Sequence, residues 1–145
     1  MNFLKAGMHK LPEYMQLRQA VESNALPAVA TGLSGIHKAT IINALVQDTN
    51  KTALLLAADE AEAQRICQDL TSMGLRSFIY PTRDFTFRNV ESASREYEHQ
   101  RIQVLSRILK HDCDVVVACM DAALQYTIPP NELVPEDLQF ELVEP

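Results

Sequence analysis

The chain has 145 residues, 47% of them apolar and 22% charged, enough for one globular domain and the start of another. Thirteen bases against 19 acids leave a net charge of −6, which excludes binding to nucleic acid or anionic membrane through overall charge and leaves room only for a local basic patch. No apolar run approaches the ~18 residues of a membrane span, Met1–Lys10 lacks the apolar core of a secretory signal, and three cysteines without a CxxC pair fit reduced thiols in the cytoplasm.

Leu11 to Asn24 predicts a helix, with apolar positions at Met15, Leu17, Ala20 and Val21. Pro27 to Thr31 predicts a short buried strand ending at Gly32, and Lys38 to Asp48 a helix that buries Ile41, Ile42 and Leu45. Thr52 to Ala58 predicts a second buried strand of the parallel-sheet type. Asp59 caps the next helix, Glu60 and Glu62 favour its positive end, and Gly74 closes it after Met73. Ser77 to Tyr80 is a third strand, Pro81 to Ala93 a loop, and Ser94 the cap of a helix through Lys110. That helix carries Ile102, Leu105, Ile108 and Leu109 on one side, with Glu98 and Arg101 on a solvated outer face. Val115 to Ala118 is a fourth strand and Met120 to Tyr126 a short helix. Apolar strands separated by helices imply βαβ units: the fold class is α/β, a parallel sheet flanked by helices and covered on both faces.

Charge marks a boundary near Pro129-Pro130. Residues 129–145 hold five acids (Glu132, Glu136, Asp137, Glu141, Glu144), no base and four of the seven prolines. Residues 1–128 therefore read as one lobe. Residues 129–145 read either as a solvated acidic tail or, preferably, as a linker and the opening of a further domain of a longer protein.

Gly32-Leu33-Ser34-Gly35-Ile36-His37-Lys38-Ala39 stands between a predicted strand and a predicted helix, the setting of the GxxxxGK[ST] phosphate loop. Gly32 and Lys38 hold the matching positions, and Ser34 and Gly35 lie within the loop. His37 replaces the glycine that lets backbone approach phosphate, and Ala39 replaces the hydroxyl that ligates Mg²⁺. Thr40 is turned about 100° away around the helix and cannot substitute. The pattern is that of a degenerate nucleotide loop, with no catalytic residue assigned. A helix start of this kind still offers N–H groups that hold an anion weakly.

Further along, Arg83, Phe85, Phe87 and Arg88 alternate bases with aromatics. This suits stacking on a single strand or contact with another domain. It suits equally two phenylalanines plugging the sheet edge while the arginines pair with Asp84 and Glu91. His111-Asp112-Cys113-Asp114 has the residue types of a metal cluster, but strand alternation from Asp114 separates the side chains, and no metal is expected. Cys119 ends a strand where α/β sheets place ligand-facing residues, without a histidine near it in sequence.

Tyr80-Pro81-Thr82-Arg83-Asp84-Phe85-Thr86-Phe87-Arg88, then Ser94-Arg95-Glu96-Tyr97-Glu98-His99-Gln100-Arg101, resemble the N-terminal region of the bacterial transcription-repair coupling factor (Mfd) family. Asp114-Val115-Val116-Val117-Ala118 and Ile128-Pro129-Pro130 extend the likeness, which runs from about Leu11 to Pro130. That region is similar to the repair helicase subunit UvrB. The resemblance implies a helicase lobe, P-loop NTPase-like, without nucleotide chemistry of its own. In UvrB-like proteins a long aromatic hairpin follows the third strand. Here only 12 residues, Thr82 to Ala93, separate Pro81 from Ser94, and no such hairpin fits. The family's full-length members are ATP-driven double-stranded DNA translocases that displace stalled RNA polymerase and recruit UvrA. For them ATP and Mg serve a motor far downstream, so no cofactor is expected in this lobe. Its implied partners are other domains of the same chain, and residues 129–145 would open the UvrA-recruiting domain. The alternative to this scaffold is a nucleotide-dependent helicase lobe or a small P-loop enzyme.

Overall fold

The structure, a computed structural model, describes residues 6–82 and 91–132. Helix α1 (Pro12–Glu22) opens with a proline in its first turn, where the missing N–H costs nothing. Helix α2 (Gly35–Thr49) ends at Asn50, whose left-handed backbone (φ 51°) returns its N–H to Val46 O at 2.9 Å. Strand β1 (Ala53–Ala57) leads to α3 (Glu60–Ser72). Asp59 caps α3 as expected, accepting from Glu62 N at 2.7 Å, and Gly74 closes it at φ +89°. Strand β2 (Ser77–Tyr80), helix α4 (Glu91–Leu109), strand β3 (Val115–Cys119) and helix α5 (Met120–Leu124) follow, and Pro130–Glu132 form a 3₁₀ turn.

The three strands form a parallel sheet in the order β1-β3-β2. Central β3 is buried at every position. Val115 and Val117 point to one face, where Ala39 and Val46 of α2 and Ala63, Ile66, Cys67 and Leu70 of α3 close over them. Val116 and Ala118 point to the other, against Val104 and Leu105 of α4 and Ala122 of α5. Helices thus lie on both sides, and the α/β parallel architecture read from the sequence holds.

Three expectations are corrected. Residues 27–31 form no strand: their backbone is irregular and every one is exposed, with Val29 86% accessible. A five-residue apolar run becomes a strand only when a neighbour takes up its N–H and C=O groups, and no described strand lies beside it. β1 is buried on one face only: Leu54 and Leu56 are 66% and 48% exposed, because β1 is an edge strand among the described residues. Helix α4 begins at Glu91, three residues before Ser94, and its buried stripe runs through Arg101 and Val104 while Ile108 and Leu109 are exposed.

Candidate functional site

Without a strand before it, the irregular stretch Gly32–Ser34 leads directly into the first turn of α2, which holds Gly35 to Lys38. Gly32 has φ +76°, the conformation that favours glycine, with open space where a side chain would stand. Ser34 is the N-cap of α2, and its Oγ lies 3.1 Å from His37 Nδ1, which holds the imidazole over the helix start. Lys38 Nζ donates to Glu62 Oε1 at 3.1 Å, while Glu62 Oε2 accepts from Ala58 N at 3.0 Å. The Ala58 N–H first, and then Lys38, hold the Glu62 carboxyl below the ordinary carboxylate range. This pair ties the first turn of α2 to the first turn of α3, and the lysine's charge is spent on a carboxylate.

Ala39 is 0% exposed and packs in the core with Val46 and Ala63, so its methyl faces hydrophobic side chains. Thr40 donates its hydroxyl to Ile36 O at 2.8 Å. The side chains of Lys38, Ala39 and Thr40 are therefore engaged within the fold.

Open α/β sheets bind ligands at the carboxyl ends of their strands. Here that end holds a cleft of about 400 Å³ lined by Asp59 and Glu60 after β1, Thr82 after β2, and Cys119 and Asp121 at the end of β3. Among the described residues lining it are three carboxylates, Asp59, Glu60 and Asp121. Cys119 is buried, and its Sγ lies 3.1 Å from Thr82 Oγ1.

Behind this edge sits Arg101, 3% exposed and a correction to its expected place on a solvated face. Its guanidinium lies 4.0 Å over the Tyr80 ring. It donates to Pro81 O at 2.7 Å, Gln125 Oε1 at 3.2 Å, Ala122 O at 3.4 Å and Tyr126 O at 3.5 Å. One side chain thus gathers the chain leaving β2 and the chain leaving α5 onto α4. Its planar fork of donors suits several carbonyls at once. Spacing held the missed signal: Arg101 precedes Val104 and Leu105 by three and four residues, on one helix face.

At the opposite end of the sheet the His111–Asp114 run closes on arginine. Arg76 donates to Asp112 Oδ1 at 2.7 Å and Asp114 Oδ1 at 2.6 Å, and Arg107 reaches Asp112 Oδ2 at 3.1 Å. Arg76 holds the Asp114 carboxyl below its usual range. Cys113 is buried between them, and burial first, then the Asp114 charge, push its thiol up to about 11. Among the described residues no cluster of histidine, cysteine and carboxylate suits a metal. On α1, Tyr14 donates to Asp48 Oδ2 at 2.6 Å, which His9 Nε2 also meets at 2.7 Å, pinning α1 to α2. Arg83, Phe85, Phe87 and Arg88 lie outside the described residues.

Fold and site together define a small α/β unit, a parallel three-stranded sheet between helices, with a phosphate-loop-like turn whose exposed lysine pairs with Glu62. The chain is 32% identical over 104 residues to the transcription-repair-coupling factor of Bacillus subtilis (strain 168), a match covering 70% of this chain. It therefore carries a region related to a transcription-repair coupling factor. The match takes in 9% of that relative, so the chain spans about a tenth of its length. No protein-family profile matches the chain, and no solved structure matches it. Among the described residues no helix is long and apolar enough to cross a membrane.

Proposed function

We propose that this chain is the N-terminal lobe of a transcription-repair coupling factor and acts there as a non-catalytic, UvrB-like scaffold. The observation that carries the scaffold reading is the Lys38–Glu62 pair beside the core-buried Ala39. The residue that would neutralise a phosphate is bound to a carboxylate, and the residue that would ligate its cation faces apolar side chains. The exposed irregular run before Gly32 supports the same reading, since phosphate loops are held rigid by the strand that feeds them.

The longer protein, on this reading, is a cytoplasmic DNA-repair translocase that displaces stalled RNA polymerase from double-stranded DNA and recruits UvrA. Its ATP and Mg serve a motor outside this chain. The lobe's own partners are other domains of that protein, with residues 129–145 leading into the UvrA-recruiting domain. Calorimetric titration with Mg-ATP, beside a hydrolysis assay, tests the lobe directly. Neither saturable binding nor turnover is expected, and Lys38→Ala changes neither. Saturable micromolar binding that Lys38→Ala abolishes would overturn the scaffold in favour of a nucleotide-dependent enzyme.

A further inference from the structure

Helix α1 is attached to the lobe differently from α2 and α3. Tyr14 is its one buried residue, whereas α2 and α3 bury four each. Leu11, at its start, and Met15 are 47% and 42% exposed. Tyr14 belongs to neither of the two clusters that form the cores on either side of the sheet. Helix α1 packs on α2. The face of α2 turned to the sheet carries Ala39, Ile42 and Val46. At about 100° per residue, Ala44 and Asp48 stand roughly opposite that face. Ala44 is 4% exposed and joins neither core cluster, so α1 is what covers it.

The attachment is mostly polar. Asp48, its side chain 3% exposed, accepts from the Tyr14 hydroxyl at 2.6 Å, meets His9 Nε2 at 2.7 Å and lies 3.8 Å from Arg18 Nη1. The His9 ring stacks on Tyr14 with 5.9 Å between centroids. Burial first, and then Asp48, push the Tyr14 hydroxyl above its ordinary range, so it stays a donor. At the other end of α1, Lys51 Nζ donates to Val21 O at 3.2 Å. Beyond α1 the connection from Ser23 to Ser34 has neither helix nor strand, and every residue of it but Leu33 is exposed.

Segments with few buried apolar contacts open before the core does. Release of α1 also returns a buried carboxylate to water, which recovers its desolvation cost and keeps the latch weak beside the core. We infer that α1 is a hinged strap, latched to α2 at Asp48, that opens as one unit while the sheet and its two cores stay folded. The exposed connection is the hinge, and departure of Tyr14 from Asp48 is the release. Opening bares Ala44 and the Asp48 carboxylate, so the strap governs access to that face of α2. This goes beyond the scaffold reading and does not depend on it.

Hydrogen exchange across a urea series on the 145-residue chain tests it. The amides of α1 should exchange together, through an opening that depends little on urea. That opening should be on the order of a hundredfold more frequent than the one that frees Val115 to Cys119. Tyr14→Phe keeps the ring and removes the donor, and should raise exchange throughout α1 about tenfold. Thiol labelling gives a second readout. In Ala44→Cys the new thiol lies beneath the strap, while Cys67 and Cys113 lie in the cores. It should react well ahead of both, and faster again when Tyr14→Phe is added. Amides of α1 that exchange only together with those of β3 overturn the inference. So does exchange graded from one end of α1 to the other, a Tyr14→Phe chain no different from its parent, or an Ala44→Cys thiol as slow as Cys67.

Discussion

Replacing Arg101 with alanine removes a side chain that joins three segments. Its two shorter bonds, to Pro81 O at 2.7 Å and Gln125 Oε1 at 3.2 Å, are charge-assisted, each worth roughly 1.5–3 kcal/mol. The stack on Tyr80 adds roughly 1–2 kcal/mol in a desolvated site. These contributions overlap, since one guanidinium makes them all, and Tyr126 beside it is exposed, so water reaches some of the abandoned carbonyls. The expected net loss is about 3 kcal/mol, a fall in Tm of about 6–12 °C for a chain of this size. Urea unfolding followed by circular dichroism measures it. Hydrogen exchange should show the loosening concentrated between Ala122 and Thr127. Arg101→Lys keeps the charge without the planar fork and should recover less than half of the loss. A loss below about 1 kcal/mol for alanine, or full recovery with lysine, would refute the clamp.

Asp48→Ala strips a buried carboxylate from Tyr14 and His9; a loss of about 2–3 kcal/mol is expected, with exchange rising first in α1, and unchanged protection of Pro12–Glu22 would count against the anchor. Ala39→Ser, which restores the hydroxyl of a phosphate loop, should lower stability by about 1–2 kcal/mol through burial of a poorly partnered group and confer no Mg-ATP binding, as thermal melts and calorimetry will report. The fold holds Cys113 in its neutral form, with a pKa raised to about 11 chiefly by burial. Its contribution is therefore complete below the ordinary thiol value of about 8.5 and is lost as pH rises through about 11. Urea midpoints across that range should fall, and Cys113→Ala should flatten the fall.

Much of the architecture was legible because local and long-range signals agreed. The Asp59 cap, the closing Gly74 and the apolar runs at β1, β2 and β3 each declare an element within a few residues. Where the reading failed, a distant partner decided. Residues 27–31 have the composition of a strand, but composition supplies no neighbour. Leu54 and Leu56 look as buried as Val115 and Val117, and only the sheet order exposes them. Arg101 looked like a surface charge because arginine normally is one; its acceptors are carbonyls, which no sequence pattern displays. At the phosphate-loop-like turn, the mismatches at His37 and Ala39 were visible directly. Glu62 as the partner of Lys38 was not, since 24 residues separate them and the contact exists only once α2 and α3 lie side by side.

The position of β3 governs how this lobe can be made. Among the described residues β1 and β2 share no hydrogen bonds and each pairs with β3, which is the last of the three to leave the ribosome. A nascent chain interrupted before Val115 holds two strands with an empty slot between them and two half-built cores, one on each side of that slot. Until the slot is filled, Leu55, Phe78 and Ile79 have no ladder to hold them in place. The unit commits to its native form in one late event, and whatever shelters those side chains during synthesis determines how much of it is recovered.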